Sequence, residues 1–346
     1  MLSRQLIITA GLLLITCAPL ISQSKDRPST SERVHLQFNT EEADAVLAII
    51  EKHAARQAIA ESDWQRLFAT EPYIRLKRRE ASMKRDFTDD EFKRFVLSQE
   101  LTAKFGALRQ TLTEWKKADL TASALRVLSY LPPQAMIRAK VFPMIKPKTN
   151  SFVFDTDTDP AIFLYLDPQE SAAKFKNTVA HELHHIGFSS VNNISEHRTA
   201  GLPSNVKAAL QWMGAFGEGF AMLAAAGGPD VHPHSVSSPE ERARWDHDML
   251  NFNNDLAALQ DFFLEVINQK LKTEDEIRTK ASQFYGVQGP WYTVGYKMAV
   301  IIERRYGRQV LIDCMIDPRE LLSRYNAAAS ELNRGKIGRA SCRERV

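Results

Sequence analysis

The sequence predicts an α+β fold, predominantly helical, in which a small mixed sheet and one histidine-bearing helix lie beside a helical N-terminal layer. Three observations predict it. Residues 40–125 carry helical apolar periodicity with few glycines or prolines. Residues 135–167 contain three short runs rich in β-branched and aromatic residues, the texture of strands. Directly after the last run, "NTVAHELHHIGF" places three of the nine histidines and one glutamate in five consecutive positions.

The chain has 346 residues, 44% hydrophobic and 25% charged, enough apolar mass for a sizeable core in one large domain or two modest ones. A formal charge of +3 with scattered basic residues gives no electrostatic footprint for nucleic acid. Both ends are set aside before the fold is read. Residues 1–24 have the layout of a signal peptide: Arg4, an apolar run from Leu6 to Ile21, then polar Ser22 to Lys25. The expectation is export, to the periplasm, the exterior or the bacterial envelope. Within the run, "LITC" (Leu14 to Cys17) approximates a lipoprotein signal, with Thr16 where Gly, Ala or Ser is usual. Cleavage near Ser24, a lipid anchor at Cys17 and a retained N-terminal anchor are the alternatives, and the lipid anchor at Cys17 is the membrane contact expected. The last ten residues, "IGRASCRERV" (337–346), read as neither helix nor natural tail and resemble the translation of a sequencing-adapter read. Without their three arginines and one glutamate the formal charge falls from +3 to +1, and of three cysteines Cys314 is the internal one. A single internal cysteine makes no intrachain disulfide, so packing or a bound ion must stabilise the fold.

The first region, 36–130, is expected to be helical. In "NTEEADAVLAIIEKHAARQA", Asn39 or Thr40 is the N-cap, and Glu41 and Glu42 sit where the helix dipole favours negative charge. Ala45, Leu47, Ile49 and Ile50 give the apolar stripe. Further helices are expected over Asp63–Leu67, Asp89–Val96 and Leu101–Leu120. The second region, 131–330, opens with the three strand-like runs "AMIRAKVFPMI", "SFVFDT" and "AIFLYLD". A later helix is marked by Ser238 as N-cap, Pro239 at the first position and Glu241 as capping-box partner, and is expected to reach Leu271. Another is expected from Pro290 to a stop at Gly307.

His181 and His185 are four residues apart, which on an α-helix puts both imidazoles on one face, one turn apart, where they can share an ion. Glu182 is offset by about 100° and can reach a water beside that ion. A chance His-Glu-x-x-His match in a chain of this composition is expected roughly 0.02 times, which favours a metal site over a solvated polar face. Phe175, Val179, Leu183 and Ile186 anchor the helix. A catalytic zinc takes three protein ligands and leaves one position open. Phe188 and Val191 occupy the positions where a metzincin would have Gly and His, so the third ligand must come from elsewhere. Glu218 in "GAFGEGFAML", 33 residues after His185, is the better candidate, with Gly217, Gly219 and Ala221 expected to let its helix approach the first closely.

"HELHH" followed by "GEGFA" resembles the gluzincin superfamily of metallopeptidases. Residues 36–330 as a whole, including "FNTEEADAVL" and "GPWYTVGY", resemble a family of uncharacterised bacterial zinc-dependent peptidases. The resemblance implies a zincin core with a small mixed sheet whose edge strand binds the substrate backbone. It also implies one Zn2+ per chain held by His181, His185 and Glu218, with Glu182 as general base, and a peptide or protein substrate. Thermolysin-like members carry an acidic residue four positions after the ligand glutamate; here it is Met222, so the partner of the metal histidines is open, with Asp230 and Glu196 as guesses. The oxyanion donor, usually Tyr or His in this superfamily, is sought in Tyr292 and Tyr296, one helical turn apart. The implied activity is a zinc metallopeptidase; the alternatives are a zinc-binding scaffold without catalysis and a zinc hydrolase of a non-peptide substrate. Among the other histidines, His184 is expected beside the site or on the surface. His232 and His234 are expected in a loop with a lid or a donor as their functional reading, His247 on a helix, and His197 in a local ion pair with Glu196.

Overall fold

The computed structural model describes residues 30–343, with the side chains of residues 30, 31, 195, 196 and 333 onward left outside the description. The signal segment, Cys17 and the cleavage position lie outside the described residues. Among those described, no helix is long and apolar enough to cross a membrane.

A 3-10 turn leads into β1 (Val34–Phe38), followed by α1 (Glu41–Ala54), α2 (Glu61–Phe68), α3 (Glu71–Ser82), α4 (Asp89–Val96), α5 (Gln99–Trp115) and α6 (Leu120–Leu128). The sheet is completed by β2 (Ile137–Met144), β3 (Phe152–Phe154) and β4 (Ala161–Tyr165). Then come α7 (Ala172–Ser189), α8 (Asn192–Thr199), α9 (Ser204–Met213) and α10 (Gly217–Ala226). The chain ends with α11 (Pro239–Leu250), α12 (Phe252–Ile267), α13 (Glu274–Ser282), α14 (Pro290–Tyr306), α15 (Arg308–Ile316) and α16 (Arg319–Arg343). The molecule is thus predominantly helical with a small mixed sheet, as expected.

Strand order is β1-β2-β4-β3, with β1 and β4 parallel to β2 and β3 antiparallel to β4. The three expected strands form. β1 was not anticipated, although Val34, Leu36 and Phe38 show the period-2 alternation of a half-buried strand. Its pairing from Val34 with Ile137 to Phe38 with Val141 ties the start of the described chain to the sheet. One buried apolar cluster runs from α1 through the sheet to α16.

Two expected helices divide. The one reaching Leu120 stops at Trp115, and Asp119 caps a new helix by accepting from the Ala122 N–H at 2.9 Å. The one expected to reach Leu271 breaks at Asn251, which ends α11 and begins α12. The last segment also differs from expectation. α16 carries the backbone helix to Arg343; residues 337–343 include no proline, although Gly338 is a poor helix former.

The scaffold fixes α7 from several sides. Ser171 caps its N-terminus by accepting from the Lys174 N–H at 3.1 Å. Trp115 of α5 stacks on Phe175 with centroids 4.1 Å apart. At the other end a Cβ on Gly187 would lie 2.3 Å from the Leu131 side chain, so this glycine lets α7 settle against the first residues of β2.

Candidate metal centre

α7 and α10 bring three donor atoms together. His181 Nε2 lies 3.1 Å from Glu218 Oε2, His185 Nε2 lies 3.2 Å from the same oxygen, and the two imidazole nitrogens are 3.1 Å apart. Zinc ligands about 2.0–2.1 Å from a tetrahedral ion are roughly 3.3 Å from one another, so this triangle has the size that such an ion requires. His181, His185 and Glu218 are the group of potential metal ligands found among the described residues. The donor set of two imidazoles and one carboxylate leaves a fourth direction open, which fits catalytic zinc.

The electrostatics fit a cation as well. Burial pushes the Glu218 carboxyl up, but hydrogen bonds and charge from His181 and His185 outweigh it and hold the group well below the usual carboxylate range. His185 is shifted the other way: burial disfavours its proton, and Glu218 more than restores it. The carboxylate that draws positive charge onto the His185 ring is equally placed to balance a divalent ion. His181 Nδ1 is buried with no protein partner, so no side chain orients that ring from behind. Met222 stands in the position of the missing acid, buried and lining the cavity beside His181. Asp230 is exposed and pairs with Arg304 at 2.9 Å, so it does not hold a metal histidine. The Glu196 side chain lies outside the described residues.

The glycines of "GEGFA" serve a different contact from the one expected. A Cβ on Gly219 would lie 1.9 Å from Tyr296 N and 2.6 Å from Tyr292 O, and one on Gly295 would lie 2.6 Å from Phe216 O. Gly219 therefore lets α10 approach α14, while α10 also packs on α7 as expected; a Cβ on Gly217 would meet nothing within 4 Å. This interlock of Gly219 and Gly295 sets the rotation of α10 and, with it, the direction of Glu218.

The same interlock separates the two tyrosines. Tyr292 stacks beside His181 with centroids 6.2 Å apart, and its phenol is pushed up by burial and by the nearby Glu218 carboxylate. Tyr296, one turn later, donates to the Val231 carbonyl at 3.3 Å and packs edge-on against Trp245; burial pushes its phenol up to about 12. Sequence reasoning missed Tyr285, whose phenol also feels Glu218.

Glu182 and His181 line a cavity of about 210 Å³ together with Tyr292, Met222, His234 and the Lys174–Glu241 ion pair. His234 is buried; its Nδ1 lies 3.0 Å from Ser237 Oγ while its Nε2 has no protein partner, and burial pushes its proton affinity down. Its loop is braced by His232, which pairs with Asp246 at 2.8 Å and accepts the His234 N–H. His247 and His197 are exposed. His184 is fully buried, not at the surface, because its side of α7 faces α9, α10 and α15. No residue lining the two cavities that reach His181 or His185 comes from either edge strand, β1 or β3, where the resemblance placed the substrate backbone.

No curated protein and no solved structure matches the chain. The family described as "Putative zinc dependent peptidase (DUF5700)" matches residues 64–334. That span, well over half of the chain, includes both helices of the His181, His185 and Glu218 triangle as well as α14 behind them, and the chain belongs to this family.

Proposed function

We propose that the protein is an exported zinc-dependent peptidase of gluzincin type, with one Zn2+ held by His181, His185 and Glu218. The observation that carries the reading is the triangle of donor atoms with sides of 3.1, 3.1 and 3.2 Å and a free glutamate one residue from its first corner. When bound there, zinc supplies a Lewis acid that polarises a carbonyl and makes a water acidic near neutral pH. Glu182 takes the proton of the attacking water and returns it to the departing amine. The Tyr292 hydroxyl, kept protonated by burial and by Glu218, donates to the carbonyl oxygen as negative charge grows on it. His234, lining the same cavity, is the second donor within the site. The long apolar run ahead of the described residues supports export as part of the proposal.

The test is digestion of a mixed peptide library by the zinc-loaded protein, by the same protein after chelation, and by Glu182→Gln. Cleavage restricted to the first sample supports the reading. A zinc-loaded protein that leaves every peptide intact but turns over another ester or amide sinks the peptide part of it.

A further inference from the structure

The cavity that holds Glu182 and His181 runs along α7 toward the start of that helix. Lys174, Thr178 and His181 follow one another at spacings of a helical neighbour, and all three line it. Lys174 stands two turns before His181, about 10 Å along the axis, and side chains on a helix lean toward its N-terminus. The end of the cavity far from the metal cluster is therefore the Lys174–Glu241 pair, whose side chains both keep part of their surface open. Glu241 Oε1 accepts from Lys174 alone, while Oε2 accepts from Lys174 and from the Ser238 N–H, so Oε1 keeps a lone pair for a second donor. Charge at this end is acidic on balance. Among the described residues Lys174 is the one lysine or arginine in the lining, against Glu182 and Glu241. Glu170, one turn before Lys174, adds a further carboxyl, which burial pushes up to about 7 in spite of the lysine. His234 adds no charge, because burial pushes its proton affinity down.

We infer that this cavity selects the substrate: it takes one long basic side chain, of lysine or arginine type, from the residue beside the scissile bond and brings its cation to Glu241. The inference rests on the peptidase reading for its occupant and on the cavity for its chemistry. Length and charge choose the class together. A carbonyl held at the cluster, next to Glu182, leaves the adjacent side chain two helical turns to cross before it meets the Lys174–Glu241 pair. The four-carbon stem of lysine or the guanidinium of arginine spans such a gap, whereas aspartate and glutamate stop short of Lys174. Met222 and Pro233 in the wall give the methylenes of a basic side chain apolar surface to lie on while the charge stays at the open end. The apolar cavity beside His185 has none of His181, Glu182 and Glu218 in its lining, so it offers no rival place next to the general base.

The experiment is calorimetric titration of the zinc-loaded protein with caprohydroxamate, ε-aminocaprohydroxamate and adipic monohydroxamate. In each the hydroxamate binds zinc, and the same carbon chain ends in a methyl, an ammonium or a carboxylate. The ammonium probe is expected to bind about three- to tenfold tighter than the methyl probe, the effect of one part-exposed charge pair, and the carboxylate probe no tighter than the methyl. Glu241→Gln keeps the cap of α11, since glutamine serves in a capping box as glutamate does, and should abolish the preference with zinc content unchanged. Lys174→Gln removes the resident cation and should raise the preference by about threefold. Either variant carries the test should the other misfold. Equal affinity for the ammonium and methyl probes, or a ratio unmoved by the variants, overturns the inference; so does tightest binding of the carboxylate probe, which would give the cavity to acidic groups held by Lys174. A protein that takes up no zinc overturns the inference and the peptidase reading together. Peptide digestion separates the two claims. Cleavage without preference for lysine or arginine beside the broken bond overturns the inference and keeps the peptidase; discrimination among the probes with no peptide cleaved does the reverse.

Discussion

Glu42 and Glu218 occupy the same kind of position, the first turn of a helix, where the dipole favours a carboxylate, and both are withdrawn from water. Their states are opposite. Glu42 is fully buried at the start of α1, accepts the Ile145 N–H at 3.0 Å with one oxygen and has no partner for the other. Burial pushes its carboxyl up to about 8, against the pull of the Ile145 bond and of Lys146. Glu218 meets two imidazoles on one oxygen and is held far below its ordinary value. The number of donors converging on the carboxylate, and not its place in the helix, decides whether it is a structural tie or a charged group able to hold a metal. Glu42 joins α1 to the end of β2; Glu218 joins α10 to the histidines of α7.

The sharpest way to break this contrast uses the third glutamate. Glu182 shares a helix with the histidines, and its replacement by glutamine is expected to lower peptide hydrolysis by about 10²- to 10⁴-fold. Elemental analysis should still find one zinc per chain; loss of zinc in this variant would make Glu182 a ligand instead of a base. Next comes the direct exchange of Glu218 and Glu42 for glutamine, assayed side by side after dialysis. Glu218→Gln should lose more than the roughly 10–100-fold in zinc affinity typical of outer partners, whereas Glu42→Gln should keep its zinc.

Gly219→Ala tests what aims Glu218. The added Cβ would collide with the backbone nitrogen of Tyr296, so α10 and α14 must separate, at a cost of about 1–3 kcal/mol or more in denaturant unfolding. Zinc affinity should fall with stability. Unchanged affinity in a destabilised protein would show that the interlock does not orient the ligand.

The smallest effect expected is a slope. Glu42 has a folded pKa of about 8 against an ordinary 4.5, so the folded state holds a proton that the unfolded state releases. Its contribution is full below about 4.5 and is lost as pH rises towards 8. Lys146, pushed down to about 8 from 10.5 by burial, acts in the window above 8 and does not obscure it. Relative to wild type, Glu42→Gln should remove a decline of several degrees in Tm between pH 5 and 8. Parallel curves for the two proteins would refute the assignment.

Much of the centre could be read from the sequence because its spacing is local. The separation of His181 and His185 acquires meaning as soon as a helix is assumed, and α7 is that helix. The capping box of Ser238 and Glu241 and the stop at Gly307 are equally local and occur where expected. Asp119 was available as a cap signal and marks one break that the longer helices concealed; Asn251 marks the other without a side-chain cap bond.

The sequence by itself determined the helical layer, the three runs of the sheet and the pairing of two imidazoles with a neighbouring glutamate, since all of these depend on a repeat of two or 3.6 residues. The tertiary structure brought Glu218, already the better candidate in the sequence, to the imidazoles, and it decided which of two tyrosines one turn apart faces the cluster, that His184 is buried, and that an apolar cavity adjoins His185. None of these follows from periodicity. They depend on how α7, α10 and α14 are rotated against each other, and that rotation is set by contacts such as Gly219 on Tyr296, which join residues far apart in the chain and leave no local repeat to read.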